Sequence, residues 1–291
     1  VTSTGRIEVM TEAEYRAFDA LNFSWIKVFE ESAAAAEDAR NNPMKRTEAM
    51  EDGTLIHTAT LEPDQLEFQV RVWAGGLTKA GKPTMNKNSS DYREFHARAE
   101  ADGVLVREEW KLGWYKAIAN SVLGHAEASK LIKDSCHEIS FIWDHPLGVR
   151  CKSRLDIVGK SFLGDLKSTQ NVGTKPFHRE IETRMYHAQA AMYQDAVFYS
   201  TGERLPFAII GVEKSRPYDT SVDWIDDALL GIGRLKYEGW IEQYLECERT
   251  GIYPGKCPTS RRVEGSEYLW REYAEQLETV LVDGKEVKVH A

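Results

Sequence analysis

The chain has 291 residues, 42% of them hydrophobic and 29% charged, with a formal net charge of −9 and a pI near 5.5. That is the balance of a globular protein able to bury a full core; no apolar run reaches the roughly 20 residues of a membrane helix, no signal-peptide pattern opens the chain, and a cytoplasmic setting is expected. The four cysteines, Cys136, Cys151, Cys247 and Cys257, form no C-x-x-C pair, which argues against a zinc or iron–sulfur site and for isolated buried thiols.

In chain order, Thr11 to Arg40 reads as mainly helical, and TEAEYRAF offers a threonine cap followed by acids. Within LNFSWIKVFEES, Ser24 is expected to cap a helix whose apolar face carries Phe23, Ile26 and Phe29. A further helix is expected from Thr47 to Leu61, stopped by Glu62 and Pro63. A lone histidine on such a helix, here His57, is ordinarily a satisfied core residue. Gly53, one turn before it, costs about 1 kcal/mol against alanine and often marks close approach by a backbone or ligand, which leaves a ligand role open.

The acidic balance speaks against a polyanionic partner, but a nucleic-acid track needs only local basic surface. One candidate runs from Arg71 to Arg98, where Arg71, Lys79, Lys82, Lys87, Arg93 and Arg98 outnumber Asp91 and Glu94, around a long loop, AGGLTKAGKPTMNKNSS. A solvated basic loop explains any single lysine there equally well. Helices are expected over 92–100 and 116–123, with a short strand over 103–106. HEISFIWDH, 137–145, alternates as a strand with Ile139, Phe141 and Trp143 on one face and Glu138, Ser140 and Ile142 on the other.

The chemistry concentrates in RLDIVGKSFLGDLKST. Strands over 155–158 and 162–167, joined at Lys160 and Ser161, put Asp156 opposite Asp165, where paired Cβ atoms stand roughly 4.5 to 5.5 Å apart. Alternation adds Lys167 to that face, with Arg154 across from it, and assigns Leu155, Ile157, Phe162 and Leu166 to a core face. Two acids and a lysine suit a divalent cation held by Asp156 and Asp165, with Lys167 beside the bound water or scissile phosphate. Glu138 is a third acid if its strand lies alongside. An amphipathic hairpin with a charged solvent face accounts for the same residues, and a one-residue slip would separate the acids.

Beyond it, Lys175 is a candidate phosphate contact, and one helix is expected over 177–199, with Gln189 inside its apolar stripe. A buried amide needs partners, from a metal-bound water or phosphate to neighbouring backbone. LPFAIIGVE reads as a buried strand, which gives an α/β layering. A long helix is expected next, with Asp223, Asp226 and Asp227 at its positive end. Gly231 and Gly233 fall inside that pattern, not after a strand, so no dinucleotide fingerprint is read. The polar end, including Arg261, Arg262 and DGKEVKVHA, says little.

Taken as an ordered set, Gly53 and His57, then Asp156, then Asp165-Leu166-Lys167, then Gln189 and Tyr193 resemble the PD-(D/E)XK nuclease superfamily. The spellings GTLIHTATLEP, CKSRLDIVG, GDLKST and YHAQAAMY look most like RecE-type exonucleases of phages and prophages; Leu155 stands where the superfamily name has proline. The resemblance covers roughly 24–213 and implies an α/β nuclease fold, a central mixed sheet flanked by helices, in one domain over 1–291 with a C-terminal helical extension over 222–291. It implies Mg²⁺-dependent, processive 5′-to-3′ digestion of linear double-stranded DNA ends to mononucleotides, with Mn²⁺ able to substitute. A 3′ single strand would be left for a single-strand annealing protein, and the ring-shaped homotrimers of such enzymes are an analogy only. Carried over residue by residue, Asp156, Asp165, the Leu166 carbonyl and His57 would hold the metal. Lys167 would serve the attacking water, Gln189 would hold that water or the ammonium, Glu138 would add an acid, and Ser24, Lys175, Tyr193 and Arg154 would meet DNA. Another nuclease of the superfamily, an endonuclease or a Cas4-like single-strand exonuclease, and a non-catalytic DNA-end-binding protein are the alternatives. Ungrouped cysteines count against the Cas4-like form, and an intact acid, acid, lysine set against the non-catalytic one.

Overall fold

The structure is a computed structural model that describes residues 5–8, 10–78, 80–257, 259–264, 266–273, 279–282 and 285–288. After β1 (Gly5–Glu8) come α1 (Glu12–Ala17), α2 (Phe23–Ile26), α3 (Ala33–Asn41) and α4 (Glu48–Leu61). Each of these helices starts at a side chain able to accept from the unpaired N–H groups of a first turn, namely Thr11, Asn22, Ser32 and Thr47. Thr11 forms a full capping box with Glu14. The cap of α2 is thus Asn22, whose Oδ1 accepts from the Trp25 N–H at 3.0 Å, and Ser24 lies inside the helix.

Next follow α5 (Leu66–Gln69), β2 (Val70–Trp73), β3 (Gly76–Leu77), β4 (Pro83–Thr84), α6 (Ser90–Ala101), β5 (Leu105–Glu108), α7 (Glu109–Gly124) and α8 (Ala126–Lys133). The expected long loop therefore contains a minimal hairpin, β3 against β4; Lys79 lies outside the described residues. Three cations of the basic run are paired on the surface, Arg71 with Asp102, Lys87 with Glu108 and Arg98 with Glu94.

A six-stranded mixed sheet, order β1-β6-β7-β8-β9-β10, forms the centre of residues 1–253. Its strands β6 (Ser135–Asp144), β7 (Arg150–Gly159) and β8 (Leu163–Thr169) make an antiparallel meander, so the strand that carries Glu138 does lie alongside the hairpin. A crossover through α9 (Thr174–Thr183) and α10 (Tyr186–Thr201) returns the chain to β9 (Phe207–Glu213), parallel to β8, and β10 (Thr220–Ile225) turns back antiparallel. Two apolar layers cover the faces: Ala188, Met192 and Tyr237 belong to one with Trp143 and Phe207, and Leu55, Tyr115 and Ile118 to the other with Leu166 and Ile210. This is the expected α/β arrangement of a mixed sheet between helices.

Two elements differ from their sequence reading. The single helix expected over 177–199 is two, because Met185 adopts a left-handed backbone (φ 61°) between them, with no glycine or proline to signal it. Asp223 lies on strand β10, paired with His178, so only Asp226 and Asp227 serve the start of α11 (Asp227–Thr250), with Asp226 as its cap. The alternation in TSVDWI was the overlooked signal.

The four cysteines are free; Cys151 and Cys247 are buried, whereas Cys136 and Cys257 are exposed rather than buried. Residues 254–291 form a second compact unit with α12 (Glu267–Tyr273) and a hairpin of β11 (Thr279–Val282) and β12 (Lys285–Lys288), so the segment 222–291 is less helical than expected. Parts of DGKEVKVHA lie outside the described residues. Among the described residues no helix is long and apolar enough to cross a membrane.

Helix α10, buried from His187 to Val197 except at the half-buried Gln189, meets α11 at Gly233: a Cβ there would stand 2.4 Å from the His187 carbonyl oxygen, whereas one at Gly231 meets nothing within 4 Å. Gly233→Ala should lower stability by about 1–3 kcal/mol through overpacking, read as a drop in Tm. Gly231→Ala should raise it by about 0.5–1 kcal/mol through helix propensity. Equal shifts in one direction would contradict this packing.

Candidate metal centre and active site

The site is set by how β7 meets its neighbours. Ile157 pairs with Gly164 and Val158 with Leu163 around the Lys160-Ser161 turn, which the Gly159 N–H closes onto the Phe162 carbonyl at 3.0 Å. Continued by one step, that register puts Asp156 opposite Asp165, as the sequence predicts. The ladder itself stops there, and the Leu166 N–H donates to Asp156 Oδ2 at 2.9 Å instead. On the other side, β6 and β7 pair from Ser135 to Asp144 with one step missing, Glu138 against Asp156, and Glu138 has φ 53°. A left-handed non-glycine residue costs of order 1–3 kcal/mol, and such strain collects at functional sites. The distortion also corrects the expected core face: Leu155 packs in the layer of Phe141 and Trp143, whereas Ile157 packs with Leu166 in the opposite one.

Helix α4 brings His57 to this break in the ladder. Its Nδ1 lies 3.2 Å from Asp156 Oδ2, and donor atoms of His57, Glu138 and Asp156 all fall within 4.8 Å of one another. Gly53 faces open space, so it marks no close approach. Glu138 accepts from Arg154 Nε at 2.8 Å, while Arg154 Nη1 donates to the Met10 carbonyl at 3.0 Å and to Ser140 at 3.1 Å. Asp165 is 3% exposed and paired with Lys167, yet its Oδ2 has no well-aligned hydrogen bond. The Lys167 ammonium stands 4.8 Å over the Tyr186 ring, and Gln189 Nε2 donates to the Tyr193 hydroxyl at 3.0 Å.

Crowding of acids sets the protonation. Burial would raise Asp156, but His57 and Lys167 outweigh it and hold the carboxyl at about 2. Burial and then the Asp156 charge push Asp165 up to about 6 and Glu138 up to about 7. Burial alone would lower His57 and Lys167, but Asp156 and Asp165 raise both above their ordinary values. Two carboxyls driven toward neutrality beside a third that is ionised are what a bound cation would relieve. The donors, mostly carboxylate oxygens plus one imidazole, fit a divalent cation.

A cleft of about 890 Å³ opens over the trio, and Ser24, Arg154 and Tyr193 line it together with His57, Glu138 and Asp156. Three of the four residues expected to meet DNA are thus brought together; Lys175, exposed at the start of α9, is not among the lining residues. Leu166 contributes its N–H to Asp156, with its side chain in the core. Sequence reading missed Tyr15 and Thr11, which line the cleft from α1 and its cap, and Tyr186 beneath Lys167. Tyr186 was legible: with Gln189 and Tyr193 it makes an i, i+3, i+7 set on one helix face.

The family described as a PDDEXK-like domain of unknown function (DUF3799) matches residues 22–263. No curated protein matches the chain. Among solved structures, a "putative exonuclease" from Eubacterium rectale superposes with a TM-score of 0.59 at 15% identity, covering 92% of this chain and 99% of that one. An alkaline exonuclease from Laribacter hongkongensis aligns at 15% identity over 91% of this chain and 100% of that one, with a TM-score of 0.30. The first of these shares the fold. The family match, which spans residues 22–263, leads to one conclusion: the chain belongs to the PDDEXK-like family DUF3799.

Proposed function

We propose that the protein is a metal-dependent exodeoxyribonuclease that digests linear duplex DNA from its ends. The observation that carries this is the convergence of Asp156, Asp165 and Lys167 at one break in the sheet, with His57 and Glu138 beside them and Ser24, Arg154 and Tyr193 lining the cleft above. The exonuclease designation of the Eubacterium rectale protein, which shares the fold, supports the same class. The resemblance to RecE-type enzymes extends the proposal to 5′-to-3′ polarity, release of mononucleotides and a 3′ strand handed to a single-strand annealing protein. A homotrimer around DNA belongs to the same analogy.

Asp156, Asp165, His57 and the Leu166 carbonyl would hold Mg²⁺ or Mn²⁺, with Glu138 as a further acid. A divalent cation supplies Lewis acidity toward a phosphoryl oxygen and a more acidic water. Lys167, as the ammonium that Asp165 and Asp156 favour, orients the attacking water, makes that water easier to deprotonate through its positive charge, and offsets charge on the phosphorane-like transition state. Gln189, tied to Tyr193, holds the water or the Lys167 ammonium in place. Arg154 fixes the Glu138 carboxylate and so keeps that acid aimed at His57 and Asp156.

Lys167→Ala and Asp165→Asn should each lower turnover about 10²–10⁴-fold, the range of a lost acid–base group, with circular dichroism and DNA binding in chelator unchanged. Wild-type rates in either variant would remove the mechanism. A linear duplex labelled at one 5′ end should release its label first as mononucleotide, ahead of the same duplex labelled at the 3′ end, only with Mg²⁺ or Mn²⁺, while closed circular duplex stays intact. Nicking of the circle would favour an endonuclease, preferential digestion of single strand a different exonuclease, and binding without cleavage a non-catalytic end-binding protein.

A further inference from the structure

A second cavity, of about 710 Å³, lies beside the candidate catalytic cleft, and Arg16, Asn22 and Pro43 line both. Its remaining walls include Arg40 of α3, Arg150 and Lys152 of β7, Trp25 of α2 and Tyr244 of α11. Four cations there face one acid, Asp19, in a chain whose net charge is −9.

The arginines and the lysine are held differently. Arg16, Arg40 and Arg150 pair with Glu12, Glu248 and Asp144 on exposed surface, where every partner is at least 44% exposed. The exposed single-bond pairs of Arg16 and Arg40 are weak, Arg150 grips Asp144 with two bonds, at 2.7 and 3.1 Å, and a phosphate offers a guanidinium that same two-oxygen geometry. Lys152 is 3% exposed, and its ammonium donates to the carbonyls of Tyr15, Arg16 and Phe18 at 2.8, 3.1 and 2.6 Å. Carbonyls solvate that charge without cancelling it, and the acid that faces it is Asp19 on the same cavity wall. Those carbonyls belong to the end of α1, the element that separates this cavity from the catalytic cleft. Beside the cations stands an aromatic platform: Tyr244 meets Trp25 edge-on at 5.3 Å, and the Arg40 guanidinium lies 5.8 Å from the Trp25 ring. Cations along a backbone path with an aromatic ring for a base are the general composition of a single-strand site.

We propose that this cavity is a second nucleic-acid subsite, which takes phosphates and an adjoining base of the single strand running on from the catalytic cleft past Arg16. The proposal rests on reading that cleft as a DNA-cutting site. Its test does not require cleavage. Binding of a fluorescent single-stranded oligodeoxynucleotide with phosphorothioate linkages to the full chain, in chelator, is followed by anisotropy between 50 and 200 mM salt. Arg40→Gln and Arg150→Gln should each weaken binding several-fold and flatten the slope of log Kd against log salt by about 0.7, the single-strand value for one phosphate contact. In a strand carrying 5-iodouracil, photo-crosslinks should map to Trp25 or Tyr244. An unchanged salt slope in the double variant, absent binding by the wild type, or crosslinks confined to other segments would overturn the subsite. Hydrolysis of a small phosphodiester by the wild type reports separately on the catalytic reading, and the double variant should retain it.

Discussion

One carboxylate oxygen ties the site together. Asp156 Oδ2 accepts from the Leu166 N–H and lies against His57 Nδ1, so a single atom joins β7, β8 and α4. It can do so because the regular ladder fails on both sides of Asp156, toward Glu138 and toward Asp165. A backbone that would otherwise pair with its neighbours gives way to side chains that converge on one point. The same break reverses which side of the sheet β7 packs against, and the two apolar layers on either side hold it in that shape. Strain at Glu138 is sustained by this surrounding structure, not by local preference.

The electrostatics follow from the convergence. Three acids, a histidine and a lysine share a largely buried space, and protons and ion pairs distribute the charge among them. Asp156 stays ionised because His57 and Lys167 face it, and burial, followed by the Asp156 charge, moves the remaining acids toward neutrality. The site's components therefore answer to one another: a change at any of these five side chains alters the protonation of the rest.

Much of this was legible in the sequence, because the signals were local. The two-residue turn at Lys160 and Ser161 fixed the register of β7 on β8, and with it the juxtaposition of Asp156 and Asp165; period-two alternation then added Lys167. Pro63 and the cap at Thr47 bounded α4, which carries His57. What escaped were non-local or conformational features. The left-handed Met185 that divides α9 from α10 has no glycine to announce it, and the switch of core face at Asp156 comes from a residue on the neighbouring strand. Ser24 and Arg154 could be nominated by resemblance, but that they share a cleft with Glu138 depends on α2 and β6 meeting in three dimensions. In the basic stretch over 71–98, the acids that pair with Arg71, Lys87 and Arg98 include Asp102 and Glu108, which lie outside the run and become partners only through the fold.

The central claim is that the broken ladder exists to hold a cation. Anomalous diffraction from crystals grown with Mn²⁺ tests it most directly. The account predicts a peak bonded to Asp156 and Asp165 with His57 at its edge and Lys167 displaced from its pairing with Asp165. Density placing Mn²⁺ elsewhere, or none at saturating metal with the Lys167–Asp165 pair intact, would contradict it.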